Sequence, residues 1–195
     1  ISRNDFESAF ERGETKLLGH PVVNDSLGIE FSTGSLGMGL GLAVGRVYGE
    51  RKHLDPQKGD PVDPFVVFLG DGEMGEGSNF EAIMLASKYR LGALICIIDE
   101  NGIQQTGRTA DVMGCFNWLE IFSSFGWRVY EVDGHDMRAL CDIFELVQET
   151  ISWSGPPIAI VAKTVKGFGL QGLENTIESH HIRLKTDLVN NFLLS

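Results

Sequence analysis

Short apolar runs and longer mixed segments alternate along the chain, and this pattern predicts alternating strands and helices. A run that is apolar at nearly every position and ends in turn residues is typical of a strand buried on both faces of a parallel sheet. The predicted strands are 65–69 (FVVFL), 93–99 (ALICIID), 127–132 (WRVYEV) and 157–164 (PIAIVAKT).

The segments around these runs predict helices. In the helix predicted to start at Ser78, Glu81 follows three residues later, which is the spacing of a capping box. The predicted helices are 5–12, 35–48, 78–90, 117–126 and 136–151. Because strand and helix patterns alternate, the sequence predicts an α/β fold, a doubly wound, mainly parallel sheet flanked by helices.

Polar residues and glycines follow directly after two of the predicted strands. Asp71, between Gly70 and Gly72, follows the first strand, and Asn101 follows the second. Ligands of doubly wound sheets lie beyond the carboxyl ends of the strands, where loops from neighbouring strands meet. One crossover helix separates Asp71 from Asn101, so we expect the two side chains to lie close together.

The chemistry of this pair favours a hard cation. Asp71, Asn101 and a backbone carbonyl just past Asn101 supply only oxygen, which suits Mg²⁺ or Ca²⁺ rather than Zn²⁺. Mg²⁺ usually takes further oxygens from the phosphates of its ligand, and the glycines leave backbone N–H groups free to face them. The pattern indicates a diphosphate bound through a divalent metal; the alternative is that Gly-Asp-Gly is only a strand-to-helix turn.

Composition and charge bear on partners and location. The chain has 195 residues and a net charge of -11, which counts against nucleic acid and anionic membranes as main partners. No apolar run approaches the roughly 18 residues that a membrane span needs. The cysteines Cys96, Cys115 and Cys141 form no CxxC pair, which indicates a reducing compartment and predicts a cytoplasmic location.

Several longer blocks resemble one known family. Gly70-Asp71-Gly72 with the later Asn101 resembles the thiamine-diphosphate motif. Four blocks, in order, resemble the diphosphate-binding domain of transketolase across about residues 5–181. They are GHP…GIEFSTGSLGMGL (19–40), GDGEMGEGSNFEA (70–82), DENGIQQTG (99–107) and KTVKGFG (163–169). The alpha chains of pyruvate-dehydrogenase-type enzymes share the GDG and Asn pair but lack the STGSLG block, so they fit less well.

The resemblance implies a role for each residue at the two strand ends. It makes Asp71 and Asn101 side-chain ligands of Mg²⁺ (or Ca²⁺), and it makes Ile103 a ligand through its backbone carbonyl. It places Gly70 and Gly72 against the thiamine diphosphate, with the backbone N–H of Gly72 donating to the diphosphate.

The resemblance also assigns residues farther along the chain to the cofactor site. Gly34 and Leu36 would line the aminopyrimidine and thiazolium, where glycine permits close approach of the backbone. Glu76 corresponds to a glutamate that joins a carboxylate network between paired cofactor sites; the alternative is a solvated loop charge. Lys166 and Gly167 correspond to the Lys-Gly pair that precedes a functional histidine of the family.

Three of the five histidines receive a role from the resemblance. His20 would reach substrate hydroxyls, a task that suits a group able to donate, accept or shuttle a proton near neutral pH; the alternative is a loop histidine that caps a turn. His180 and His181 lie where the family has one histidine near diphosphate and substrate, and either can be its counterpart. His53 and His135 are interpreted as ordinary surface or turn residues.

The resemblance implies that residues 1–195 form a single diphosphate-binding domain that lacks the family's upstream Ser-Lys-Gly-His-Ala block and its pyrimidine-binding domain. The implied function is that of one component of a split, transketolase-like enzyme, active only with a pyrimidine-domain subunit in a heterotetramer. Such an enzyme transfers a two-carbon ketol unit from a ketose, free or phosphorylated, to an aldehyde.

Two alternatives to this function stay open. The chain could be a subunit of another thiamine-diphosphate-dependent carboligase, with an α-keto acid or an unusual sugar as donor. It could also be a catalytically silent partner subunit, although the intact Asp71 and Asn101 count against that. A Mg-nucleotide domain is disfavoured, because the chain has no GxxxxGK[ST] loop and no GxGxxG opening a helix after a strand.

Overall fold

A computed structural model describes residues 17–53 and 62–180 of the chain. The helix predicted at 5–12 lies outside the described residues. The strands are β1 (Phe65–Gly70), β2 (Leu94–Glu100), β3 (Ile103–Gln104), β4 (Gly107–Arg108), β5 (Arg128–Asp133) and β6 (Ile158–Lys163). The helices are α1 (Gly39–His53), α2 (Gly77–Tyr89), α3 (Thr109–Val112), α4 (Trp118–Ser124) and α5 (Met137–Thr150).

Four of these strands form a parallel sheet in the order β1, β2, β6, β5. Each corresponds to one of the predicted apolar runs, and the bounds differ by one residue at most at either end. The short strands β3 and β4 pair antiparallel in a separate hairpin just beyond the end of β2. The predicted α/β class with a mainly parallel sheet is confirmed.

Helices cover both faces of the sheet, as the doubly wound class requires. On one face α1, α2 and α4 contribute buried side chains such as Leu40, Ile83 and Phe122. On the other face α5 packs through Val147 against β2, β5 and β6. Cys96 of β2 is fully buried, and burial raises the pKa of its thiol well above the usual range, so it is a neutral core group.

Helix α1 differs from its prediction at both ends. It begins at Gly39 and not at residue 35, because Gly37, inside the predicted helix, has a φ of 79°, which is outside the helical region. It continues past residue 48 to His53, and Arg46 and Glu50 form an i,i+4 ion pair of 3.0 Å along it.

The capping box predicted at Ser78 is wrong. Helix α2 begins at Gly77, and the residue at its N-cap position, Glu76, makes no side-chain cap hydrogen bond. The hydroxyl of Ser78 instead donates to the carbonyl of Gly37, at 2.8 Å, in a segment distant in sequence. The Ser78 hydroxyl, which the local spacing assigned to the N-cap of α2, therefore bonds to a distant segment instead of to the helix end.

Among residues 17–53 and 62–180, no helix is both long enough and apolar enough to cross a membrane.

Candidate functional site

A cavity of about 790 Å³ opens at the carboxyl ends of β1 and β2. We call it the strand-end cavity. Gly70 pairs with Asp99 in the sheet, and the N–H of Asp71 donates to the carbonyl of Asp99 at 3.2 Å, so the loops after the two strands are neighbours. The predicted site residues that line the strand-end cavity are His20, Gly34, Leu36, Gly70, Asp71, Gly72, Glu76, Asn101, Ile103, Lys166 and His180.

Of the described residues to which the resemblance assigns a role, all but Gly167 line the strand-end cavity. His181 lies outside the described residues, so the choice between His180 and His181 stays open. The roles of these residues remain predictions, because proximity alone does not assign them.

Asp71 is the buried carboxylate of the strand-end cavity, with 3% of its surface exposed. Its Oδ1 accepts from the N–H of Gly72 at 2.7 Å, and its Oδ2 accepts from the N–H of Gly102 at 2.5 Å. Burial raises the pKa of Asp71, while these two backbone donors act in the opposite direction. Among the described residues it has no ion-pair partner, so a bound cation would relieve its cost of desolvation.

Asn101 lies in a tight turn after β2. Its Oδ1 accepts from the N–H of Ile103 at 3.1 Å, and its Nδ2 donates to Asp99 Oδ2 at 3.1 Å. Gly102 between them has a φ of 76°, which turns the chain so that Asn101 and Ile103 both face the cavity that Asp71 lines. No group of three or more His, Cys, Asp or Glu side chains that could hold a metal occurs in the described residues. The donor set here is one carboxylate, one amide and backbone carbonyls, which fits a hard cation with oxygen ligands.

Gly72 packs against the hairpin that follows β2. A Cβ at this position would lie 2.6 Å from the Cβ of Gln104, so a side chain would push the turn away from β3. The N–H of Gly72 donates to Asp71 in this structure, and its predicted contact with a diphosphate stays a prediction. The close approach of Gln104 is sufficient to explain why position 72 is a glycine.

Glu73 is a site residue that the sequence did not reveal. Its Oε1 accepts from the N–H of Gly37 at 2.9 Å, and its Oε2 accepts from the N–H of Gly70 at 3.3 Å. One carboxylate thereby fixes the loop that carries Gly34 and Leu36 to the turn that carries Asp71. The available signal was a carboxylate inside a glycine-rich turn, where unpaired backbone N–H groups need acceptors.

We expect Glu73→Gln to lower the free energy of unfolding by about 1–3 kcal/mol, because an amide offers one oxygen to two backbone donors and leaves one buried N–H without its acceptor. Equilibrium denaturation in urea measures this. Glu76→Gln makes the same change of charge on an exposed side chain and should stay within about 0.5 kcal/mol of wild type. Equal effects of the two substitutions would contradict the bridging role.

His20 and Gly34 are in contact at the mouth of the cavity. A Cβ on Gly34 would lie 3.1 Å from the Cγ of His20, so the imidazole rests on a position where only glycine leaves room. His20 is exposed, and Leu36 is 57% exposed beside it. Both side chains are available to a molecule in the cavity or to another protein chain.

Lys166 and His180 come from the segment after β6. The carbonyl of Lys166 accepts from the N–H of Asn175 at 2.8 Å, and His180 ends a 3₁₀ turn formed by Ile177–His180. Gly167 has a φ of 73°, and a Cβ there would lie 3.0 Å from the carbonyl oxygen of Leu173. This folded-back segment brings the Lys166 side chain and the His180 imidazole to the lining of the strand-end cavity.

His135 lies in the turn after β5, as predicted, and it also contacts a segment distant in sequence. Its imidazole is half-buried, Nε2 accepts from the N–H of Val165 at 2.8 Å, and the ring stacks on Phe168 with centroids 3.8 Å apart. His53 is exposed at the end of α1, as expected.

Comparison with known proteins agrees with this geometry. Residues 4–193 match the family of the transketolase, thiamine diphosphate binding domain. The chain is 38% identical over 186 residues to one of the subunits of apulose-4-phosphate transketolase from Actinobacillus succinogenes, covering 95% of this chain and 63% of that protein. It is 34% identical over 181 residues to the protein of the same name from Phocaeicola vulgatus, covering 93% of this chain and 60% of that protein.

Solved structures give the same result. A transketolase from Campylobacter jejuni superposes with a TM-score of 0.82 at 28% identity, over 94% of this chain and 28% of that one. A transketolase from Leishmania mexicana superposes with a TM-score of 0.84 at 26% identity, over 98% of this chain and 29% of that one. The chain spans less than two thirds of the length of these relatives.

Proposed function

This chain belongs to the family of transketolase thiamine diphosphate binding domains, and we propose that it is the diphosphate-binding subunit of a split, transketolase-like enzyme. The observation that carries the proposal is the strand-end cavity, where the family's motif residues from four separate segments meet. The similarity to two proteins whose names make each of them one subunit of a transketolase supports the split arrangement.

The residues of the cavity fit thiamine diphosphate and a divalent metal. Asp71 and Asn101 would hold Mg²⁺ through side-chain oxygens, and Ile103 would hold it through its carbonyl. The buried charge of Asp71, without an ion-pair partner among the described residues, is the feature that favours a cation there. Lys166 also lines the cavity and adds positive charge that suits a diphosphate.

When bound, thiamine diphosphate supplies the nucleophilic carbon and the electron sink that breaking a C–C bond beside a carbonyl needs. This chain's residues would bind, orient and move protons. Gly34 and Leu36 would form one wall for the rings, and Glu73 would keep that wall at a fixed distance from Asp71. His20 would hold a substrate hydroxyl and exchange its proton, and His180 or His181 would have the same task.

The expected overall reaction is transfer of a two-carbon ketol unit from a ketose to an aldehyde. The relatives named for apulose 4-phosphate suggest a sugar phosphate among the substrates. We further propose a partner subunit with the pyrimidine-binding domain, a heterotetramer with cofactors at its interfaces, and a cytoplasmic location. Exposed apolar side chains beside the cavity, among them Leu36 at 57% and Met113 at 45%, are suited to contact with such a partner.

A second candidate is a subunit of another thiamine-diphosphate-dependent carboligase. The sequence SHHI at 179–182, where the family has His-Gly, is the observation that favours it. Assays of the reconstituted complex distinguish the two candidate functions. The complex is given an aldehyde together with either a ketose phosphate or an α-keto acid, and consumption of each donor is measured. Only the true donor will be consumed together with the aldehyde.

Native mass spectrometry of the tagged chain, purified with Mg²⁺ and thiamine diphosphate, tests the proposal. We expect a complex that contains a second chain and two cofactors. A lone chain that binds no cofactor would require the proposal to be withdrawn.

We expect His20→Ala to leave cofactor affinity unchanged and to slow turnover of the reconstituted complex by about a hundredfold, the usual size of a lost acid–base group. Steady-state kinetics and calorimetry measure the two quantities. His53→Ala removes an exposed histidine at the end of α1 and should change neither. Full activity of His20→Ala would leave His20 as a loop histidine without a chemical role.

A further inference from the structure

A second concavity, of about 1060 Å³, lies at the carboxyl ends of β5 and β6. Its walls are the turn 133–136, the start of α5 and the segment 163–168. Segment 163–168 also carries Lys166 into the strand-end cavity. It is therefore a partition between the two concavities, and we call residues 164–168 the partition loop.

His135 contacts the partition loop on both sides of Lys166. Its Nε2 accepts from the N–H of Val165 at 2.8 Å, and its ring stacks on Phe168 with an interplanar angle of 16°. An imidazole nitrogen accepts a hydrogen bond only when it carries no proton, so the contact with Val165 uses Nε2 as a lone-pair acceptor. The two contacts bracket the residue that faces the cavity.

The turn that presents His135 is itself fixed. Asp133 Oδ1 accepts from the N–H of His135 at 2.9 Å, and the N–H of Gly134 donates to the carbonyl of Lys163 at 2.8 Å. A Cβ on Gly134 would overlap the Cγ2 of Thr164, so the turn lies directly on the start of the partition loop. The turn that carries the imidazole is thus fixed by hydrogen bonds to Asp133 and Lys163 and by its packing on Thr164.

The other side of the partition loop is joined to the predicted metal ligands. The N–H of Thr164 donates to the carbonyl of Glu100 at 3.2 Å, and its hydroxyl donates to the carboxylate of Asp99. The second oxygen of Asp99 accepts from Nδ2 of Asn101 at 3.1 Å. A continuous set of contacts runs from His135 through the loop to Asn101.

We propose that His135 is a positioning residue of the strand-end cavity, which holds the partition loop so that Lys166 and Asn101 keep their places. The effect on thiamine diphosphate rests on the proposed function, whereas the fixing of the loop does not. Histidine suits the position because it combines a flat ring for Phe168 with an acceptor at the ring's tip for Val165. Phenylalanine keeps only the ring, and glutamine keeps only an acceptor of similar reach.

The test uses His135→Phe, with His135→Gln as the rescue variant and His53→Phe as the matched control. Two quantities are measured: hydrogen exchange at the N–H of Val165, and calorimetric affinity of the native complex for thiamine diphosphate with Mg²⁺. In His135→Phe we expect exchange to be about fivefold faster and affinity about fivefold weaker, the size of one lost hydrogen bond. His135→Gln should recover most of both, and His53→Phe should match wild type.

Each alternative outcome is informative. Unchanged exchange at Val165 in His135→Phe overturns the proposal, and so does faster exchange with unchanged affinity. If the wild-type complex binds no cofactor, the proposed function fails, and the positioning role is then tested by hydrogen exchange alone. The N–H groups of Gly102 and Ile103 lie beyond the contact of Thr164 with Asp99. Faster exchange of these two groups in His135→Phe supports the positioning role, and unchanged exchange overturns it. If His135→Phe does not fold, Phe168→Leu removes the stacked ring and must give the same pattern.

Discussion

Asp71→Ala will abolish Mg²⁺-dependent binding of thiamine diphosphate. Asp71 supplies the only carboxylate in the proposed metal ligand set, so its loss should weaken affinity by at least about a hundredfold, or about 2.7 kcal/mol. The stability of the fold should change less, because two effects oppose each other. The N–H groups of Gly72 and Gly102 lose their acceptor, which destabilises the fold. The cost of burying the carboxylate, whose pKa is raised by desolvation, disappears, which stabilises it. Calorimetry with and without Mg²⁺, together with thermal denaturation, separates the two effects.

Asp142→Ala is the matched control, since it removes the same charge from an exposed position of α5. It should bind cofactor as wild type does. Asp71→Asn keeps the shape of the side chain and one oxygen, and it should fail in the same way if the charge is what holds the metal. Unchanged affinity of Asp71→Ala would remove the metal assignment from this residue and leave Asp71 as a buried acceptor for the turns at Gly72 and Gly102.

The sequence was sufficient to predict that Asp71 and Asn101 meet. Each follows an apolar run long enough for one buried strand, and one crossover helix between the runs makes the strands parallel neighbours. The carboxyl ends of neighbouring parallel strands lie at the same edge of the sheet, so two local patterns and one topological rule fix the pair.

Contacts between distant segments could not be predicted in this way. Glu73 bonds to Gly37 across 36 residues, Ser78 bonds to Gly37 across 41, and His135 bonds to Val165 across 30. No periodicity marks such partners, because each contact depends on the path of a loop through the folded structure. The capping-box prediction failed for the same reason: Ser78 has the right spacing to cap α2, but the carbonyl of Gly37 takes its hydroxyl.

Gly37→Ala will detach the loop that carries Gly34 and Leu36. Gly37 has a φ of 79°, and a Cβ there would lie 2.6 Å from both the Cβ of Glu76 and the hydroxyl oxygen of Ser78. The strained backbone alone costs about 1–3 kcal/mol, and the overlap with Glu76 adds to it. We expect the loss of two hydrogen bonds: the one that the N–H of Gly37 donates to Glu73, and the one that the carbonyl of Gly37 accepts from Ser78. We expect cofactor affinity to fall by more than about tenfold, which corresponds to about 1.4 kcal/mol.

The control lies four residues away in the same glycine-rich stretch. Gly41 is inside α1, and nothing lies within 4 Å of a Cβ built there, so Gly41→Ala should stabilise the chain by about 0.5–1 kcal/mol and leave cofactor affinity unchanged. Urea denaturation and calorimetry on both variants give the comparison. If Gly37→Ala binds cofactor as well as Gly41→Ala does, the loop does not form a wall of the site. If only Gly37→Ala is impaired, the glycine is required because the loop that carries Leu36 approaches Glu76 and Ser78 too closely for a side chain.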